Sequence, residues 1–135
     1  MAQYTISYKL HNNITYSCTY HVVWCVKSCR AVLVNGVEVR LEAIIRDVCT
    51  ATRADLLTLD IMPGYVQLLV EVDPQYGIHR LVREMKGRSS HFLRREYPSI
   101  KSRLSTLWTS AYFVSTVGGA PPEVVQQYIE TQKRA

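Results

Sequence analysis

The apolar positions of this chain switch between two periods, and the switches outline its elements. Tyr16 to Val26 is rich in Tyr, Thr, Val and Trp, residues that fit a pleated surface, and predicts a first strand. Lys27 to Asn35 reads as a basic connector, and Gly36 opens a helix running to about Thr52. Val37, Leu41, Ile44, Ile45, Val48 and Cys49 recur at three- and four-residue intervals, the signature of one buried helix face. Leu56 to Met62 predicts a second strand with Leu57, Leu59 and Ile61 on one face, broken by Pro63-Gly64. Tyr65 to Val72 is a third strand, closed by Asp73-Pro74. Tyr76-Gly77 leads into a helix with a stripe of Leu81, Val82, Met85, Phe92 and Leu93, which Tyr97-Pro98 ends. Leu107 to Val117 predicts a fourth strand. Beyond the Gly118-Gly119 joint, Pro121-Pro122-Glu123 starts a last helix, where the missing proline N–H costs little.

Strand, helix, strand, strand, helix, strand, helix is the order of an α+β fold. It predicts a ferredoxin-like or RRM-like antiparallel sheet with helices on one face, plus a C-terminal helix. The expected organisation is a single domain over 1–135, with 1–13 as an arm and 120–135 as the helix beyond the joint. Hydrophobic residues make up 47% of the chain, which argues against disorder. No apolar run reaches the ~20 residues of a membrane span, and the N-terminus lacks the basic-then-apolar pattern of a signal peptide. The expected location is cytoplasmic. Cys18, Cys25, Cys29 and Cys49 contain no CxxC pair and read as reduced core thiols, with a zinc site at Cys25 and Cys29 the minor alternative.

The formal net charge of +5 favours a polyanionic partner, most simply nucleic acid. Lys27 and Arg30 follow the first strand. Arg80, Arg83, Lys86 and Arg88 run along the second helix, with Arg94, Arg95, Lys101 and Arg103 beyond. Arg80, Arg83 and Lys86-Gly87 fall largely off the apolar stripe, which predicts a solvated face able to meet phosphates. Side chains alternate along the third strand, so Tyr65, Gln67, Leu69 and Glu71 share one face and Val66, Leu68, Val70 and Val72 the other. The aliphatic set belongs against the helices, leaving Tyr65 and Gln67 on the opposite side. Tyr128 and Gln132 are one helical turn apart and share a face with Val125 and Ile129. By spacing alone, such a tyrosine is more often core than catalytic.

Four segments together resemble the single-tyrosine HUH transposases of the smallest bacterial insertion sequences, the TnpA-type proteins. They are Tyr20-His21-Val22-Val23-Trp24-Cys25, Met62-Pro63-Gly64-Tyr65-Val66-Gln67-Leu68-Leu69-Val70, Leu107 to Gly119, and Tyr128-Ile129-Glu130-Thr131-Gln132. The resemblance covers about residues 16–132. It implies that Tyr128 is the nucleophile that attacks a DNA phosphate, keeping the 5′ end as a phosphotyrosine. It implies a divalent metal, Mg²⁺ or Mn²⁺, held by two strand histidines and by the position of Gln132. It also implies binding of single-stranded or hairpin DNA, and a homodimer in which each C-terminal helix serves the partner's site. Lys86-Gly87-Arg88-Ser89-Ser90 matches a recurrent family segment, so Lys27, Arg30, Arg83, Lys86, Arg88 and Arg94 are the candidate DNA contacts.

The family strand reads Met-Pro-Asp-His-hydrophobic-His, whereas this chain has Gly64, Tyr65 and Gln67 at the aspartate and histidine positions. A neutral phenol, with pKa near ~10, is a weak ligand for Mg²⁺, and a Gln carbonyl brings no charge. Glu71 shares the face but lies two strand steps beyond Gln67. His21 reads as structural. Metal affinity and metal-dependent cleavage are therefore expected to be weakened. A domesticated DNA-binding protein without catalysis is the alternative. An RRM-like RNA-binding module fits less well, because the strands lack the aromatic RNP consensus that stacks bases.

Overall fold

The computed structural model of the chain describes residues 8–11, 14–116 and 121–134. A short hairpin comes first, β1 (Lys9–His11) paired antiparallel with β2 (Ile14–Tyr16). Then follow β3 (Thr19–Cys25), α1 (Val37–Thr52), β4 (Asp55–Met62), β5 (Tyr65–Glu71), α2 (Ile78–Glu96), α3 (Pro98–Arg103), β6 (Phe113–Thr116) and α4 (Pro122–Lys133). The main sheet has the order β4-β5-β3-β6, with every pairing antiparallel. Two β-α-β halves with the first and third strands adjacent at the centre give the ferredoxin-like arrangement.

The core lies between one face of this sheet and α1 and α2. Val22, Trp24 and Val26 from the β3 region and Val66, Leu68 and Val70 from β5 meet Leu41, Ile45 and Val48 of α1 and Leu81, Met85 and Leu93 of α2, all buried. The α1 face is the one its spacing predicts: Val37, Leu41, Ile44, Ile45, Val48 and Cys49 are all buried. α4 lies on the opposite face. There Val125 and Ile129 pack on Val23 and Cys25, with Phe113, Tyr65, Tyr128 and Cys29 around them.

Four expectations need correction. Leu57 is 44% exposed rather than inward, because a register shift between Leu56 and Thr58 hands the core face to Leu56, Leu59 and Ile61. The first strand starts at Thr19, since Tyr16 belongs to the hairpin, and the hairpin replaces part of the expected arm. α3, with Pro98 in its first turn, went unpredicted. The fourth strand is only Phe113–Thr116, not 107–117. Trp108 instead makes an isolated bridge with Val26, its indole N–H donating to Ser89 Oγ at 3.0 Å. The Lys86 ammonium then captures the carbonyls of Thr109 (2.8 Å) and Ala111 (3.0 Å), diverting them from a ladder. The Gly118-Gly119 joint lies outside the described residues.

Candidate functional site

The sheet face that carries α4 is built row by row from the strand register. Met62, Tyr65 and Cys25 lie abreast, and the next row holds Asp60, Gln67, Val23 and Phe113. The row after that holds Thr58, Leu69, His21 and Ser115. Tyr65 and Gln67 are thus on the side opposite the α1 and α2 core, as alternation predicts. Asp60, which sequence reasoning passed over, stands directly across from Gln67. Only the pairing register identifies that neighbour.

α4 lays Val125, Tyr128, Ile129 and Gln132 onto this face; all but the half-buried Tyr128 are buried. The Tyr128 ring sits 5.6 Å from that of Phe113, and Phe113 meets His21 edge-on at 6.4 Å. The Tyr128 hydroxyl is buried with no hydrogen-bond partner among the described residues. Burial pushes its pKa up to about 12, and the Cys25 and Cys29 thiols add to the rise. The Cys25 thiol is likewise pushed up to about 12, by burial first and then by a hydrogen bond with Cys29, with nearby Lys86 opposing. In this arrangement Tyr128 is a protonated phenol at neutral pH, and a phenol attacks phosphate only when activated.

The donor set does not fit a hard divalent cation well. Tyr65, Gln67 and Gln132 bring no charge, Asp60 alone is anionic, and Glu71 is engaged by Lys9 at 3.5 Å. No group of three or more His, Cys, Asp or Glu side chains among the described residues is placed to hold a metal, so Cys25 and Cys29 gather no further ligand of those types.

The basic residues divide by their engagements. Lys27 and Arg83 are exposed. Arg30 is exposed but donates to the Arg103 carbonyl at 3.3 Å, and Arg88 pairs with Glu84 at 2.6 Å. Arg94 holds the carbonyls of Leu104 (2.8 Å) and Ser105 (2.9 Å). Lys86 is half-buried rather than solvated, and burial lowers its pKa. Elsewhere, a cleft of about 430 Å³ between the hairpin and the ends of α1 and α2 is lined by Lys9, His11, Tyr16, Arg53 and Arg80, among others. His11 is paired with Asp73 there, and Arg80 stacks over Tyr76 at 4.5 Å.

A ferredoxin-like sheet with a tyrosine-bearing helix on the face opposite α1 and α2 is the architecture of a class of transposases. The family model described as "Transposase IS200 like" matches residues 14–132, and the chain belongs to that family. It is 35% identical over 119 residues to the ISDra2 transposase TnpA of Deinococcus radiodurans, covering 87% of this chain and 85% of that protein. It is 24% identical to the transposase for insertion sequence element IS200 of Salmonella typhimurium, over 87% of this chain and 78% of that one. A crystal structure of a Deinococcus radiodurans R1 protein superposes with a TM-score of 0.84 at 35% identity, covering 92% of this chain and 97% of the other. A REP-associated tyrosine transposase bound to a REP hairpin shares the fold at a TM-score of 0.59 and 12% identity, covering 96% and 69%. No helix among the described residues is long and apolar enough to cross a membrane.

Proposed function

We propose that this protein acts in DNA transposition or descends from a protein that did, and that it binds single-stranded or hairpin DNA. In this reading Tyr128 is the ancestral nucleophile, and strand cleavage and joining through a 5′-phosphotyrosine are weakened or lost. The observation that carries it is the family match across 14–132, with Tyr128 and Gln132 on one helix face over β3 and Tyr65 of the adjoining β5 in the same cluster. The hairpin bound by the REP-associated neighbour supports the choice of DNA, as does the net charge of +5. Lys27 and Arg83 are the exposed candidate phosphate contacts whose side chains are not engaged by another described residue, and the cytoplasm is the expected compartment.

The second reading is a catalytically inactive, domesticated DNA-binding protein. It is favoured by the occluded Tyr128 hydroxyl and by a donor set with a single carboxylate. One assay separates the two. The protein is incubated with labelled single-stranded and hairpin DNA plus Mg²⁺ or Mn²⁺. A covalent adduct that disappears in Tyr128→Phe supports retained chemistry. Hairpin binding without an adduct supports the second reading, and absence of binding to either DNA sinks both.

A homodimer belongs to the same reading. β6 is an outer strand whose far side pairs with no strand among the described residues, and Val114 on it is 40% exposed. A dimer mass by light scattering at micromolar concentration is expected; a monomer would refute it.

A further inference from the structure

The surroundings of Tyr128 form one continuous packed structure that begins at Gly64. Between β3 and α1 the chain makes a tight turn over Lys27–Cys29, with Ser28 at φ 57° and Cys29 at φ 51°. Left-handed backbone at two non-glycine residues is costly, and surrounding contacts must hold it. Two backbone hydrogen bonds and one close approach hold it. Val26 N–H donates to the Gly64 carbonyl at 2.9 Å, and Leu33 N–H donates to the Pro63 carbonyl at 3.0 Å. The turn presses down so closely that a Cβ at position 64 would lie 2.5 Å from the Cys29 carbonyl oxygen and 3.1 Å from its carbon. Backbone cannot yield as a flexible side chain can, so glycine is required for this closure.

Closure of the turn places the Cys29 thiol under α4, where Sγ lies 3.7 Å from the Ile129 carbonyl oxygen. Tyr65, next along from Gly64, packs into the same cluster with Val23, Cys25, Phe113, Val125 and Ile129. Val23 and Cys25 are fully buried beneath the helix.

We propose that Gly64, Tyr65 and Cys29 form a seat that docks the tyrosine helix on its own sheet without metal, and that these residues position Tyr128 with its hydroxyl occluded. The face that the family resemblance would give to a cation is, in this chain, a packing surface. Their positioning role rests on the proposed function of Tyr128 as the reacting group; the docking itself does not.

Hydrogen–deuterium exchange on the full chain tests it without DNA, so its failure is distinct from a failure of hairpin binding. In Gly64→Ala and Tyr65→Ala, amides of α4 are expected to exchange roughly tenfold faster or more, with α1 and β3 protection unchanged. The Cys25 thiol, fully buried in the native chain, should become correspondingly faster to alkylate. Added Mn²⁺ should leave exchange of the native chain unaltered. Unchanged α4 exchange in both variants would overturn the proposal, and so would Mn²⁺-dependent protection of α4. If Gly64→Ala unfolds the whole chain, Tyr65→Ala and Ile129→Ala decide. Acceleration confined to α4 supports the seat, whereas no change, or loss of protection throughout the sheet, refutes it.

Discussion

Trp24→Ala is expected to cost about 3–5 kcal/mol of folding stability, the range for deleting a buried aromatic side chain. Trp24 is fully buried near the C-terminal end of β3, an inner strand of the sheet, beside Val66 in the register, and meets Trp108 edge-to-face at 5.9 Å and 88°. Its removal opens a void under the sheet, among buried neighbours whose close packing limits collapse. Domains of this size have only about 5–15 kcal/mol in total, so the melting temperature should fall by roughly 10–20 °C. Trp108 remains as the lone indole and reports the transition by fluorescence in a urea titration. A loss below about 1 kcal/mol would place the ring outside the core. Trp24→Phe should be far milder: the indole N–H of Trp24 is buried with no partner among the described residues, so the phenyl ring loses volume but no hydrogen bond.

The strand that carries Trp24 is legible in the sequence, since an aromatic and β-branched run predicts a strand, although its central place in the sheet is not. The buried faces of α1 and α2 are legible for the same reason: period and residue type are local properties. What escapes is set by tertiary competition. Ser89 is fully buried on α2 although its type predicts exposure, because the Trp108 indole needs an acceptor there. Lys86 reads as a surface cation, yet it holds two carbonyls of the segment that ends the expected fourth strand. The bulge at Leu56/Thr58 reverses one residue's face without any glycine or proline to mark it.

The candidate site divides along the same line. Alternation along β5 and the four-residue spacing of Tyr128 and Gln132 are enough to choose the faces of the strand and the helix. Neither says which sheet α4 will lie on. That depends on the turn at Lys27–Cys29, whose backbone is unusual, and on Gly64, whose role appears only when the Cys29 carbonyl is seen above it. A basic connector of ordinary composition gives no hint of this. Several of the predicted phosphate contacts also prove to be engaged with the protein itself, because a guanidinium near a helix end finds free carbonyls, as Arg94 does at Leu104 and Ser105.

Replacing Tyr65 and Gln67 together with histidine is expected to raise Mn²⁺ affinity by roughly 10²–10⁴-fold, measured by titration calorimetry. Losing even an outer partner of a metal ligand costs ~10–100-fold, and each imidazole gained should be worth at least that. The two positions share the outer face of β5, Asp60 lies directly across from residue 67, and Gln132 projects from the buried side of α4. Directly opposed strand residues have Cβ atoms about 4.5–5.5 Å apart, so the Asp60 carboxylate can join an imidazole at position 67. Asp60→Asn in the double variant should then lose part of the gain. The same exchange removes the Tyr65 ring from the packing beneath α4, so metal binding and loosening of the helix should appear together. If the double variant gains no affinity, closure of Cys29 over Gly64 keeps the two imidazoles from converging on one ion. Decay of the ancestral centre would then reside in the backbone of that turn as well as in the missing ligands.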